Sequence, residues 1–355
     1  MPDIAERFPA NPILRPGDIP ASMPGMKVEC LLNPGVFRFQ GKIWLLLRVA
    51  ERPEQKPGKI SFPVMNGNGK PHILEFDTSD PLLDLSDPRV ITYAGQYYLT
   101  TLSHLRLVAS DDGVRFHEPK GYSPLFGQTE LETFGIEDCR VSQIGKDYYL
   151  TYSVASPHGV GVGLRSTADW HTIRNHGMIF TTQNKDCAIF EEKIGGMYYA
   201  LNRPSSPEFG GHYMWISESP DLVHWGNHRC LAHSRKGMWD EARVGAGAAP
   251  IRTEQGWLEI YHGATSNPNR YCLGALLLDL EEPWKVLARS EEPIMEPLAD
   301  YEKVGFFGNV VFTNGHVVEG DMLTIYYGAS DSVICGARFS IEEILKTLAG
   351  KRRPS

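Results

Sequence analysis

DPRVITYAGQYYLTTLS (residues 87–103) and DCRVSQIGKDYYLTYSV (138–154) are two copies of one phrase: a short apolar strand, a glycine-containing turn, then a strand rich in Tyr, Leu and Thr. Their leading aspartates lie 138 − 87 = 51 residues apart. GVFRFQGKIWLLLRV (35–49), CAIFEEKIGGMYYALNRPS (187–205), APIRTEQGWLEIYHGAT (249–265) and VVFTNGHVVEGDMLTIYYGAS (310–330) repeat the phrase more loosely. Each reads as a hairpin with Gly at or near its turn. Repeats of this period built from several short strands mark a β-propeller.

Between the copies, HLRLVASDDGVRFHEP (104–119) and YMWISESPDLVHWGNH (213–228) share a strand ending in Ser, an acidic turn and an aromatic strand, expected as the outer half of a blade. Helical periodicity occurs only in SIEEILKTLAG (340–350), with Ser340 as N-cap and Gly350 as stop. The expected fold is an all-β propeller with a short C-terminal helix, residues 1–355 forming a single catalytic domain without a linker. Six copies are visible, but residues 51–86, rich in Pro, Gly and Asp, read as an insertion, so five and six blades both stay open. KISFPVMNGNGKPH (59–72) reads as an exposed loop able to shape a substrate entrance.

Of the 355 residues 42% are hydrophobic and 22% charged, the proportions of a soluble folded chain. A net charge of −8 argues against a nucleic-acid partner, although local cations could still hold a small anion. No basic segment followed by an apolar stretch opens the chain, and IWLLLRVA (43–50) is too short to span a bilayer. The six cysteines (30, 139, 187, 230, 272 and 335) form no CxxC pair and are expected as reduced thiols in a cytoplasm. No HExxH or other metal pattern occurs, so neither a metal nor an organic cofactor is expected. GVGVGL (159–164) imitates a phosphate loop but no helix follows it.

In a propeller the first strand of each repeat faces a central channel. The residues that open those strands are Asn33, Asp87, Asp138, Lys185 with Asp186, Arg243 and Asn309. Polar residues gathered at the head of apolar strands are costly unless they cap turns or bind something. Arg48, Arg203, His262 and Asp331 end the second strands at equivalent places, near one rim of that channel. Glycoside hydrolysis needs two carboxylates. Here Asp138, in GIEDCRV (135–141), is one candidate acid, and it is opposed by Lys185, Arg203, His262 and Tyr271. Cations and hydroxyls suit an anionic nucleophile, phosphate above all, which needs no second carboxylate.

The runs NPGVFRFQGKIWLLLRVAE (33–51), GIEDCRV, ALNRPS (200–205), SESPDLVHWGNHR (217–229), RVGAGAAPI (243–251), IYHG (260–263) and YYGASD (326–331) resemble glycoside hydrolase family 130, the inverting β-mannoside phosphorylases and related β-mannosidases. The resemblance implies a five-bladed propeller. It further implies that Asp138 gives the glycosidic oxygen its proton through a mannosyl hydroxyl, and that Lys185, Arg203, His262 and Tyr271 hold inorganic phosphate as co-substrate. Substrate binding is expected at Asn33, Arg48, Arg106 and Asp331. LLLRVAERPEQKPGKISFPV (45–64) and SDPRVITYAGQYYLTTLSHLRL (86–107) resemble the branch acting on β-1,2-mannobiose and β-1,2-oligomannans. The expected partners are a β-mannoside oligosaccharide and phosphate, with no nucleic acid or membrane and with homo-oligomerisation left open. A phosphate-independent β-mannosidase, a β-1,4-mannoside phosphorylase and a non-catalytic glycan-binding propeller are the competing expectations.

Overall fold

Glycine-bearing two-residue turns set the topology. Gln40 and Gly41 both take positive φ (49° and 75°), the primed geometry whose twist lets strand Met26–Phe39 fold back onto Lys42–Pro53. The computed structural model describes residues 3–66, 69–87, 90–205 and 209–349. Nearly all regular structure in these residues is β, and adjacent strands pair antiparallel.

Five sheets follow one another along the chain. The first joins Met26–Phe39, Lys42–Pro53 and Leu102–Ser110; the second runs Ile136–Ile144, Asp147–Ser156, Gly159–Thr167 and Arg174–Phe180. The third runs Asn184–Ile189, Tyr198–Pro204, Met214–Ser219 and Gly226–Ala232. The fourth runs Arg243–Ala246, Gly256–Ser266, Asn269–Leu278 and Val286–Arg289, with Ile251–Thr253 also paired to its second strand. The fifth runs Val311–Glu319, Met322–Ala329 and Val333–Ser340, and its outer strand is Glu6–Arg7 from the other end of the chain. The sequence assigned that N-terminal piece no element, because two residues carry no periodicity.

Apolar side chains fill the gaps between successive sheets. Phe37 of the first sheet stacks on Trp170 beyond the second (centroids 4.0 Å apart) among Trp44, Tyr148 and Leu150. Three of the junctions also hold a buried acid. Glu132 accepts from Tyr152 Oη (2.8 Å) and Arg165 Nη2 (3.1 Å), and Asp240 from Tyr261 Oη (2.9 Å) and Arg235 Nη2 (2.7 Å). Glu302 accepts from Tyr327 Oη (2.7 Å) and Arg7 Nε (2.8 Å). In each case the acid precedes its sheet and the tyrosine lies on the second strand, so one bracket recurs in three repeats.

The acidic turns of the outer halves also form as read. Ser219 Oγ accepts Leu222 N and Asp221 Oδ1 accepts Val223 N, as Thr167 and Asp169 do for Trp170 and Thr172. The helix spans Ile341–Ala349 with Ser340 Oγ capping Glu343 N at 3.1 Å; its expected stop, Gly350, lies outside the described residues. Ile341, Ile344, Leu345 and Leu348 seat it on the core between the fourth and fifth sheets.

Two expectations are corrected. Residues 59–72 are not a loop: Lys59–Met65 pairs with Pro71–Asp77, and Phe62 packs on Phe76 (5.3 Å). The 87–103 phrase is not a channel strand pair. Its hairpin, Val90–Tyr93 with Gln96–Leu99, joins Leu83–Asp87 in a separate small sheet, and Tyr93 stacks on Phe76 at 3.9 Å. Both small sheets belong to one excursion between the second and third strands of the first sheet, and Asp87's side chain lies outside what is described. Alternation and a glycine turn specify a hairpin; they do not specify which face of the molecule it packs on.

Arg7→Ala leaves Glu302 buried without its guanidinium, which is expected to cost on the order of 3 kcal/mol. Denaturant unfolding measures this, and an unchanged midpoint would contradict the bracket.

Candidate active site

The first strands of three sheets bulge at the same depth. Register shifts fall between Leu32 and Gly35, between Glu137 and Arg140, and between Lys185 and Ala188. A bulge re-aims the extra residue, here Asn33, Asp138 and Asp186. Asp138 and Asp186 share a left-handed backbone (φ 48° and 54°), a conformation that Asp tolerates better than most residues and that gathers at functional sites.

These residues open onto a cavity of about 380 Å³. Asn33, Asp138, Lys185, Asp186, Arg243 and Phe312 enter it from the first strands, Arg48 and Arg203 from the second strands, Tyr271 from the third strand of the fourth sheet, and Asp331 from the turn after the second strand of the fifth. Phe306 and Phe307 (51% and 41% exposed) stand at its mouth.

One wall carries the acid. Asp138 Oδ1 accepts from Asn33 Nδ2 (3.1 Å) and Arg48 Nη1 (2.9 Å). Arg48 is itself fixed by Glu137 Oε1 (2.8 Å) and Ser103 Oγ (3.0 Å). Burial by itself would raise the Asp138 carboxyl, but Arg48, Arg140 and Lys185 outweigh it and hold the group below the ordinary carboxylate range. Asp331 lies in the same field with a different balance. Burial pushes it up to about 6, Arg48 opposes this, and Asp138 and Glu137 add to it.

The other wall is cationic. Lys185 and Arg203 face each other as register partners, and Arg203 Nε donates to Asp186 Oδ2 at 2.6 Å. Arg243 Nη1 donates to Tyr271 Oη (2.8 Å), while its Nε is buried without a partner. His262 is fully buried, with Nε2 3.4 Å from Asp186 Oδ2 and its ring 4.3 Å from Phe312. Burial lowers the His262 pKa, against the pull of Asp186. Asp186 is held well below the usual range: burial alone would raise it, but Arg203, His262 and Arg140 prevail. Among the described residues no group of three His, Cys, Asp or Glu is arranged to hold a metal ion.

Asn33, Arg48, Asp138, Lys185, Arg203, Tyr271 and Asp331 therefore meet in one cavity, with His262 directly behind it. Asn309 does not line it; Val310 and Phe312 take that side. Arg106 does not line it either. It sits on the third strand opposite Leu47, where its guanidinium bonds Glu118 Oε1 (2.6 Å) and the Pro20 carbonyl. Arg165, opposite Leu150 on the third strand of the next sheet, likewise serves a buried acid. Asp186 and Arg243 stand among the strand-opening residues of the sequence but were given no site role, and Phe306 and Phe307 were missed altogether. Asp186 carries a signal, because Asp-Cys recurs at 138–139 and 186–187, a better twin for Asp138 than Asp87. Phe306 and Phe307 are an adjacent aromatic pair between glycines in VGFFG (304–308).

Arg106→Ala is expected to cost on the order of 1 kcal/mol of stability while leaving the apparent affinity for the glycan unchanged. Thermal unfolding beside substrate titration separates the two effects, and a raised KM would return Arg106 to the site.

A family model described as β-1,4-mannooligosaccharide phosphorylase, glycoside hydrolase family 130, matches residues 88–350. The β-1,2-mannobiose phosphorylase of Listeria innocua is 45% identical over 349 residues, covering 96% of this chain and 98% of that protein. A 1,2-β-oligomannan phosphorylase from Thermoanaerobacter is 38% identical over 253 residues, covering 68% of this chain and 80% of that protein. The solved structure of the Listeria innocua enzyme with β-1,2-mannobiose superposes with a TM-score of 0.91 at 44% identity, over 98% of this chain and 99% of that one. With that extent of likeness, and with one acid facing a wall of cations, the chain belongs to glycoside hydrolase family 130.

Proposed function

We propose that this protein is an inverting phosphorylase that cleaves β-1,2-mannobiose or β-1,2-manno-oligosaccharides with inorganic phosphate, giving α-mannose 1-phosphate and a shortened sugar. The observation that carries this reading is the division of the cavity into one acidic and one cationic wall. A phosphate oxygen bonds C1 of the mannosyl unit from the cationic side while the C1–O bond to the departing sugar breaks. The departing oxygen receives a proton from Asp138, relayed by a mannosyl hydroxyl as the family resemblance implies. Asn33, Arg48 and Asp331 hold the mannosyl unit; Lys185, Arg203 and Tyr271 hold phosphate, with Arg243 fixing the Tyr271 hydroxyl and His262 buried directly behind them.

By itself the lowered proton affinity of Asp138 works against proton donation, so the scheme depends on the charge that phosphate brings. The Asp138 carboxylate is stabilised by nearby cations, and a phosphate dianion seated on Lys185 offsets part of that field. Proton uptake by Asp138 is thereby favoured when the nucleophile is in place. The far wall offers hydrolysis no suitable base. Asp186, the carboxylate on the far wall, is bound by two guanidinium groups and held well below its ordinary range, far from the affinity that activates water.

The five sheets are read as the blades of a closed five-bladed propeller. In support, each sheet's first strand, or the residues beside it, contributes to the active cavity and to a second cavity of about 250 Å³. The second is lined by Phe37, Val141, Glu191, Ala248 and His316, farther along the same five segments. Glu6–Arg7 completing the last sheet fits ring closure. All six thiols are unpaired, which supports a reducing cytoplasm. Among the described residues no helix is long and apolar enough to cross a membrane.

Incubation with β-1,2-mannobiose should release mannose 1-phosphate only when phosphate is present. Phosphate-independent release of mannose would sink the proposal, and preferential use of β-1,4-mannobiose would move the chain to another branch. Asp138→Asn should lower kcat by about 10²- to 10⁴-fold. Asp331, raised to about 6, accepts sugar hydroxyls fully only above that pH. At saturating phosphate, kcat/KM for the mannoside should therefore fall as pH drops below about 6. Asp331→Asn should remove that bend, and its persistence would assign it to another group.

A further inference from the structure

Asp186 is an anion built into a wall that gathers anions. Its Oδ1 receives Arg140 Nη2 (3.3 Å), and its Oδ2 receives Arg203 Nε (2.6 Å) and faces His262 Nε2 (3.4 Å). With 2% of its surface exposed, it stands on a bulge in left-handed backbone, as Asp138 does. Gly245 makes room for this cluster. A methyl group there would sit 2.6 Å from Asp186 Oδ2 and 2.5 Å from His262 Cε1, so both groups would have to move.

We propose that Asp186 is the positioning residue of the phosphate subsite, fixing the Arg203 guanidinium in the orientation that binds phosphate. The proposal rests on the phosphorylase reading above. Arg203 gives Nε to Asp186, which sets the plane of the guanidinium and leaves the terminal nitrogens for an anion. His262 Nε2 lies 3.4 Å from the same carboxylate oxygen without a hydrogen bond, so Arg203 is the group whose aim Asp186 sets. Both of its oxygens are occupied, so its charge is spent on neighbouring cations and repels an incoming phosphate less than a free carboxylate would.

The test separates aim from charge by its sign. Asp186→Asn removes a negative charge, and on electrostatics alone phosphate should bind more tightly. Positioning predicts the reverse. An amide presents one oxygen and one NH2, so one of its faces meets Arg140 or Arg203 donor to donor. Phosphate KM should rise on the order of tenfold or more, the worth of a hydrogen bond to a charged group, while mannobiose KM stays within about twofold. A phosphate KM that is unchanged or lower overturns the proposal. Equal losses for phosphate and mannobiose, together with a lowered melting temperature, also overturn it in favour of a purely structural role. Gly245→Ala is the second variant, because it keeps every charge and displaces the Asp186 Oδ2 that holds Arg203 Nε. It too should raise phosphate KM selectively, and an unchanged value overturns the proposal even where Asp186→Asn does not fold. A wild-type enzyme that releases mannose without phosphate overturns the phosphorylase reading and this one together, whereas a phosphate-dependent wild type with either null result overturns this one alone.

Discussion

The buried Arg140 guanidinium is the contact on which the site depends. Its Nη1 donates to the Asp138 carbonyl (3.0 Å), its Nε to the Gly247 carbonyl (2.9 Å), and its Nη2 to the Ala246 carbonyl (2.8 Å) and Asp186 Oδ1 (3.3 Å). One side chain therefore ties the first strands of the second, third and fourth sheets together. A bulge leaves carbonyls that no ladder can satisfy, and a planar fork with five donors suits that task better than an ammonium. The ion pair with Asp186 supplies the counter-charge that a buried guanidinium requires.

From this hub the two halves of the chemistry stand at a set separation. Asp138 is fixed through its backbone by Arg140 and through its carboxylate by Arg48 and Asn33. Asp186 is fixed through its carboxylate by the same Arg140. The glycines of RVGAGAAPI (243–251) complete the fit. A Cβ on Gly247 would come within 2.2 Å of the Ile260 carbonyl, and one on Gly245 would strike His262 and Asp186. Small residues there admit the fourth strand to the hub, so a stretch that looks featureless in the chain is a steric requirement of the site.

Away from the channel, the acid–tyrosine–arginine brackets at Glu132, Asp240 and Glu302 do for the sheets what Arg140 does for the strands that line it. Apolar packing between twisted sheets is non-directional, whereas a fully bonded buried carboxylate accepts only one arrangement of its neighbours. Arg106 shows how such a role can pass for a functional one. It is a charged residue on an inner-sheet strand, but it stands on the third strand and serves Glu118.

The sequence by itself determined the all-β character, the hairpin unit, the N-cap at Ser340 and most of the channel's polar residues. Each of these depends on local alternation, turn chemistry or strand order, which are written within a dozen residues. Only the tertiary structure decided which hairpins line the cavity. The 87–103 phrase shares D-x-R-V and Y-Y-L-T with 138–154, yet it packs on Phe62 and Phe76 in an excursion, because its partners are set by contacts distant in the chain. The fold also decided that Asp138's counterpart is Asp186. Bulges and left-handed backbone arise where neighbouring strands compete for the same channel, and that competition exists only once the sheets are assembled.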